Sequence, residues 1–165
     1  MIIVMDTREH AKEQNRIKAQ LEAQGHTVIS HALPVGDYVS LHLPRLVIDR
    51  KKTLQELCIN VDSKDHERFR EELIRAKKLD LRLLILIEDG SVRSLEDVKN
   101  WQNSRLKDSP KATTGEQLYK ALMTMKEKYD VRFAFTDQEH CGQKIAELLT
   151  TGERLQRENI IRNAG

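Results

Sequence analysis

Two short runs of apolar residues constrain the fold of this chain more than any other feature. Residues 1–5 read MIIVM, and residues 81–88 read LRLLILIE. Runs of this length, apolar on both faces, are typical of strands that lie inside a sheet with helices covering each side. The sequence therefore predicts an α/β sandwich.

The other segments continue this alternation of strands and helices. The first helix is predicted to end at Gly25, because glycine is favoured just beyond helix ends. The remaining predicted elements are a strand over 26–33, helices over 66–78 and 116–129, a strand over 131–136, and a carboxyl-terminal helix that begins at Asp137. A chain of 165 residues has the size of one domain.

A predicted β-hairpin carries the most informative polar residues. Residues 36–51 read GDYVSLHLPRLVIDRK, two β-favouring halves with a break near the proline. If residues 42–44 form a three-residue turn, Asp37 lies opposite Asp49, with Cβ atoms about 4.5–5.5 Å apart. Side chains alternate along a strand, so Asp49 and Lys51 lie on the same face. One patch of this hairpin would hold two carboxylates and an ammonium group.

This patch points to metal-dependent cleavage of a phosphodiester. Two carboxylates at such a distance repel each other unless a cation lies between them, and their oxygens are ligands that Mg²⁺ or Mn²⁺ prefers. A bound divalent cation polarises a phosphodiester and activates water, and a lysine stabilises charge on the phosphate. The alternative is structural: Asp37 belongs to a Gly-Asp turn, and Asp49 and Lys51 are exposed strand charges.

The amino terminus adds a second pair of acids. The run MIIVM delivers Asp6 at the carboxyl end of a buried strand, where open α/β sheets place their sites. Glu9 follows three residues later in the sequence D-T-R-E. These two acids either join the hairpin carboxylates, or form a capping box in which Asp6 or Thr7 caps the first helix and Glu9 completes the box.

These blocks, taken in order, resemble the nuclease domain of the XPF-type structure-specific endonucleases. D-T-R-E, V-G-D-Y and I-D-R-K are followed by HERFREEL and by LRLLILIEDG, and together they span most of the chain. Several ordered blocks are more specific than any single short motif. The resemblance implies the restriction-endonuclease-like fold, a three-layer α/β architecture in which a central mixed β-sheet is flanked by helices.

The resemblance also implies roles for individual residues. It implies that Mg²⁺ or Mn²⁺ is bound by Asp6, Glu9, Asp37 and Asp49. It further implies that Arg50 contributes its backbone carbonyl and that Lys51 acts at the scissile phosphate. Asp49 stands where the family typically has glutamate. The family's next acid falls on Gln55, so that role is not transferred, and Glu56 remains a weaker candidate.

The resemblance implies a DNA endonuclease that acts on branched or flap structures in repair or recombination. Residues 1–150 are assigned to the nuclease domain and residues 151–165 to a helical extension of it. Nothing after residue 137 resembles the helix-hairpin-helix module common in the family, so we expect the stand-alone form found in small phage-encoded or bacterial proteins. A homodimer remains open. One alternative is a catalytically inactive DNA-binding or scaffold module of the same fold; a nuclease acting on RNA is another.

Composition is compatible with this interpretation without deciding it. The two cysteines, the absence of a signal peptide and the lack of a membrane-spanning apolar run lead us to expect a reducing cytoplasm. The net charge of +2 is weak support for nucleic-acid binding. We predict local phosphate contacts on the helix over 66–78 and in the loop over 104–115, with solvated surface charges as the alternative. The candidate residues are Arg68, Arg70, Arg105, Lys107 and Lys111.

Overall fold

A computed structural model describes residues 1–8, 11–62 and 66–163 of the chain. It contains a six-stranded mixed sheet with helices on both faces. The predicted three-layer α/β architecture is therefore confirmed. In the part of the chain that is described, no helix is both long and apolar enough to cross a bilayer.

The bounds of the elements follow the predicted alternation closely. The strands are β1 (Ile2–Met5), β2 (Thr27–Ser30), β3 (Tyr38–Ser40), β4 (Leu43–Lys51), β5 (Arg82–Glu88) and β6 (Arg132–Thr136). The α-helices are α1 (Ala11–Glu22), α2 (Leu54–Asp62), α3 (His66–Lys78), α4 (Gly115–Tyr129) and α5 (Cys141–Asn163). Thr114 caps α4 in a reciprocal capping box with Gln117, which fixes where that helix begins.

The strand order brings several strand ends to one edge of the sheet. The order is β2-β1-β3-β4-β5-β6, and β3 is antiparallel to both of its neighbours while the other pairs are parallel. The amino end of β3 therefore meets the carboxyl ends of β1, β4 and β5. Polar residues that begin β3 or end the other three strands lie near one another at this edge.

Two separate cores hold the helices against the sheet. On one face, α1 and α5 pack Ile17, Leu21 and Ile145 against strand residues such as Ile48. On the other face, α2, α3 and α4 bury a set that includes Leu54, Phe69, Leu118, Val47 and Ile85. Because side chains alternate along β4 from Val47 to Lys51, the odd-numbered residues of this stretch face α3 and its even-numbered residues face α1.

The predicted turn of the hairpin is wrong in its position. Leu41 and His42 connect the strands, and Leu43 already pairs with Ser40 in the ladder. A register shift then occurs between Val39 and Ser40, so that Tyr38 pairs with Ile48. The exposed Pro44 lies within this irregular stretch, as expected for a residue without an N–H to donate to a ladder. The shift restores the register in which Asp37 lies beside Asp49.

Three other segments differ from the sequence prediction. Helix α5 begins at Cys141 rather than at the predicted Asp137, whose Oδ1 accepts the His140 N–H at 2.9 Å in the preceding turn. Strand β2 ends at Ser30, three residues before the predicted end at Leu33. The Leu33 N–H instead donates to the Asp6 carboxylate at 2.7 Å. The loop over 104–115 begins with a 3₁₀-helix, Ser104–Lys107, which is capped by the buried Asn103. At Leu33 a hydrogen bond to a side chain therefore takes the place of a bond in the sheet ladder, and after Asn103 a capped 3₁₀-helix takes the place of an irregular loop.

Candidate active site

A polar cleft of about 810 Å³ opens at the edge where the strand ends meet. Its walls come from β1, from the hairpin β3–β4, and from α1 and α3. The acids that line it are Asp6, Glu13, Asp37, Asp49, Glu56, Glu71 and Glu72. The basic residues that line it are Arg8, Lys12, Arg50, Lys51, Lys52, Arg68 and Arg75. The predicted acids Asp6, Asp37 and Asp49 therefore share one cleft with Lys51.

Asp6 lies at the end of β1 and is almost completely buried. Its Oδ1 accepts the Leu33 N–H at 2.7 Å, and its Oδ2 accepts the backbone N–H and Nε of Arg8 at 3.1 and 2.7 Å. Burial alone would raise the pKa of Asp6, but the hydrogen bonds from Arg8 and Leu33 outweigh it and hold the pKa below its usual value. Both carboxylate oxygens therefore organise the chain around the cleft.

Asp37 is placed by the tight turn that precedes β3. Gly36 has φ +67°, and a Cβ there would lie 2.5 Å from Val47 Cγ1, so only glycine fits. The Asp37 N–H donates to the Ile48 carbonyl at 2.8 Å. The Arg50 N–H donates to Asp37 Oδ2 at 2.7 Å. These contacts hold the Asp37 carboxylate against the end of β4.

Asp49 and Lys51 form the centre of the cleft. Lys51 Nζ lies 2.8 Å from Asp49 Oδ2 and 5.1 Å from the centre of the Phe69 ring. Burial disfavours the charged ammonium, but the carboxylates of Asp49, Asp37 and Glu72 outweigh it, so the pKa of Lys51 is raised. The ammonium group is thus held, desolvated, among converging carboxylates.

Glu72, on α3, is half-buried in the cleft. Its Oε1 accepts the Gly36 N–H at 3.0 Å. Burial raises the pKa of Glu72 and the negative charge of Asp49 raises it further; the hydrogen bond from Gly36 and the charges of Lys51 and Arg8 compensate only in part. Sequence spacing contains a signal for this position: Glu72 is three residues from the buried Phe69 and therefore lies next to the core stripe of α3.

Arg50 points to the opposite face of the sheet. Its Nη1 lies 3.0 Å from Glu88 Oε2, and both side chains are buried. Glu88 also pairs with Arg16 at 2.8 Å, and Arg16 in turn pairs with Glu13 at the same distance. Lys52 Nζ approaches Glu13 Oε1 at 3.3 Å. Sequence reasoning did not find this ionic network, because only Glu13 and Arg16 share a local spacing, on α1, while Arg50 and Glu88 lie on different strands.

The two remaining acids that the sequence suggested as ligands are Glu9 and Glu56. Glu9 lies outside the described residues, so its predicted role as a ligand stays a prediction. Glu56 lines the cleft, but its Oε2 accepts the Lys52 N–H at 2.8 Å, which stabilises the turn into α2. Gln55, at the position of the family's further acid, lies on α2 outside the set of residues that line the cleft.

The predicted DNA contacts fall in two places. Arg68 lines the cleft, whereas Arg70 is exposed on α3 outside it. In the loop, Arg105, Lys107 and Lys111 are all exposed, and Arg105 and Lys111 border a separate hollow of about 220 Å³ next to α2. Ser104 Oγ lies 3.5 Å from Gln55 Oε1, so the loop rests against α2, the helix that follows β4.

The donor atoms of the cleft suit a hard divalent cation. The buried Asp49 Oδ2 accepts no hydrogen bond of normal geometry from the described residues, and the positive charge opposite it is the Lys51 ammonium. Within residues 1–8, 11–62 and 66–163, no three His, Cys, Asp or Glu side chains are close enough to enclose a metal ion by themselves. Mg²⁺ usually keeps several waters and needs only one or two carboxylates plus substrate phosphate. Asp37 and Asp49 fit that requirement.

Comparisons with known proteins identify a family and a shared fold. The sequence matches the ERCC4 domain over residues 5–148. Among solved structures, the fold is similar to XPF from Aeropyrum pernix, with a TM-score of 0.67 and 21% identity, over 99% of this chain and 69% of that one. A structure of XPF from the same organism in complex with DNA is also similar, with a TM-score of 0.63 and 21% identity, over 96% of this chain and 66% of that one. The search of curated proteins found no significant match to the sequence.

Proposed function

The chain belongs to the ERCC4 domain family as an XPF-type nuclease domain, and on this premise we propose that it is a divalent-metal-dependent DNA endonuclease. We propose that it hydrolyses phosphodiester bonds at branched or flap DNA structures during repair or recombination. Mg²⁺ or Mn²⁺ is the proposed cofactor, because oxygen ligands suit both ions.

The observation that carries this proposal is the position of Lys51 between carboxylates. A purely structural strand lysine would extend into solvent, since an ammonium group is costly to bury. Lys51 is instead only 8% exposed and lies 2.8 Å from Asp49. Such a desolvated cluster of opposite charges in a cleft is typical of a catalytic site.

The residues of the cleft divide the chemistry between them. A divalent cation, when bound, polarises the phosphodiester and lowers the pKa of a water ligand. Asp37 and Asp49 would hold this cation, with Asp6 ordering the strand end beside them and the Arg50 carbonyl as a further oxygen donor. Lys51 stabilises negative charge that develops on the phosphate in the transition state, an effect strengthened because the ammonium group itself is largely buried. The Phe69 ring supports the ammonium from the side of α3.

The surroundings of the cleft support binding of a phosphate backbone. Arg68 and Arg75 lie on the wall formed by α3, and Lys12 and Lys52 lie near α1. These cations offset the negative charge of the acids along the path that a DNA strand would take. The structure of the archaeal XPF in complex with DNA is consistent with this role.

The proposal is tested with Asp37→Asn and with Glu127→Gln as a matched control on the exposed surface of α4. Labelled duplex, flap, fork and four-way-junction DNA, and RNA of the same sequences, are incubated with each protein with and without Mg²⁺. We expect the parent and the control to cut branched DNA only with the cation. Asp37→Asn should cut at least about a hundredfold more slowly, the usual cost of losing such a group.

Binding separates this proposal from the inactive-module alternative. Asp37→Asn should bind the same DNA at least as tightly as the parent, because a negative charge near the phosphate has been removed. A parent protein that binds branched DNA but cuts no substrate with Mg²⁺ or Mn²⁺ would establish the module that only binds. Cleavage of RNA in preference to DNA would refute the proposed substrate.

A further inference from the structure

The turn before β3 depends on a contact from a distant helix. Gly36 is buried, and its N–H has no place in the sheet ladder because β3 begins two residues later at Tyr38. Glu72 of α3 supplies the acceptor, with its Oε1 at 3.0 Å from the Gly36 nitrogen. A buried N–H without an acceptor is strongly disfavoured. The turn and the helix are therefore coupled through one hydrogen bond.

This contact lies directly beside a proposed ligand. Gly36 precedes Asp37, whose N–H bonds to the Ile48 carbonyl at 2.8 Å and whose Oδ2 accepts the Arg50 N–H at 2.7 Å. The φ of +67° at Gly36 directs the chain back onto β4. Any rotation of the Gly36 peptide would shift the Asp37 backbone relative to Asp49. The position of the Asp37 carboxylate thus depends on what holds the Gly36 N–H.

We propose that Glu72 is a positioning residue of the nuclease site: its carboxylate fixes the Gly36 peptide and thereby presents Asp37 to the cation and the substrate. This inference rests on the proposed function for its catalytic consequence, but the positioning itself is a property of the cation-free protein. The role belongs to the acceptor oxygen, so a side chain with the same shape and an amide oxygen performs it. A side chain of the same length without an acceptor does not.

Glu71 provides a matched control on the same helix. It also borders the cleft and is exposed, and the described part of the chain shows no hydrogen bond or ion pair for it. The variants Glu72→Met, Glu72→Gln and Glu71→Met therefore compare loss of the acceptor, retention of the acceptor without charge, and loss of a neighbouring acid. The backbone amide spectrum of each variant by NMR shows that it folds.

Amide hydrogen exchange in cation-free protein measures the positioning directly. We expect exchange of the Gly36 amide to accelerate about tenfold in Glu72→Met, the equilibrium effect of one lost hydrogen bond. Glu72→Gln and Glu71→Met should stay close to the parent. Unchanged Gly36 exchange in Glu72→Met, or an equal acceleration in Glu72→Gln, would overturn the inference.

Calorimetric titration with Mn²⁺ measures the consequence for the site. Affinity should fall several-fold in Glu72→Met relative to Glu71→Met, because a displaced Asp37 binds the cation less well. Equal affinity in these two variants would overturn the link between Glu72 and Asp37. A parent protein that binds no Mn²⁺ would instead refute the proposed function, while the exchange experiment still decides whether Glu72 holds the turn.

Discussion

The ionic network behind the cleft gives a sharp prediction for Glu88→Gln. Glu88 is 6% exposed and accepts hydrogen bonds from Arg16 at 2.8 and 2.9 Å and from Arg50 at 3.0 Å. The substitution keeps the shape and one acceptor oxygen but removes a negative charge that lies within 3.0 Å of both guanidinium groups. Arg50 then retains Glu13 at 4.0 Å as its nearest carboxylate among the described ion pairs.

The expected loss of stability follows from burial of these charges. Breaking a buried ion pair by removing one partner costs about 3–5 kcal/mol, because the remaining charge stays desolvated. Since glutamine keeps a hydrogen-bond acceptor, we expect the lower end, about 3 kcal/mol. For a chain of this length each kcal/mol lowers Tm by about 2–4 °C, so Tm should fall by roughly 6–12 °C.

Urea unfolding followed by circular dichroism measures the free energy of unfolding. Arg45→Ala is the control, because Arg45 pairs with Asp80 at 2.7 Å while both side chains are mostly exposed, at 70% and 79%. Exposed pairs contribute less than about 1 kcal/mol. If Glu88→Gln loses no more stability than this control, the ion pairs of Glu88 with Arg16 and Arg50 do not stabilise the fold.

Three further predictions concern individual side chains. Lys51→Ala should cut at least about a hundredfold more slowly at saturating Mn²⁺ with little change in DNA affinity; near-parent single-turnover cleavage would show that Lys51 only screens the acids. Neutralising Arg105, Lys107 and Lys111 together should flatten the salt dependence of DNA binding by up to about 0.9 log unit per lost phosphate contact, and an unchanged slope would make them solvated surface charges. Burial and the nearby carboxylate of Glu88 raise the pKa of the Cys141 thiol. The protonated thiol therefore stabilises the fold below the unfolded pKa of about 8.5, and this stabilisation declines as the pH rises above that value. Alkylation mapped by mass spectrometry should leave Cys141 unmodified at pH 8 until urea unfolds the protein, and rapid native labelling would contradict its burial.

Local sequence patterns were sufficient for most of the fold. The apolar runs placed β1 and β5 within one residue of their observed bounds. Periodic apolar residues placed α4 within one residue of its start. These segments were predictable because burial of one or both faces of an element requires apolar residues at regular spacings in the sequence.

The parts that could not be predicted depend on contacts between distant segments. The predicted strand over 26–33 ended early because the Leu33 N–H is bound by Asp6 rather than by a neighbouring strand. The turn at Leu41 and His42 required a compensating register shift that no hairpin rule specifies. Glu72 was recognisable as a helix residue but not as a partner of Gly36, because that pairing depends on how α3 lies across the sheet.

The position of β4 within the sheet also governs when the site can form during synthesis. By the time Lys51 has been made, every acid proposed as a ligand is present in the chain. Strand β4, however, is flanked by β3 on one side and by β5 on the other, and Arg50 finds its buried partner only at Glu88. A nascent or truncated chain that stops before Glu88 therefore contains the chemical groups of a nuclease without the rigid strand that aligns them. On the proposed function, such a chain should not cut DNA, and activity is expected only after β5 has joined β4 in the sheet.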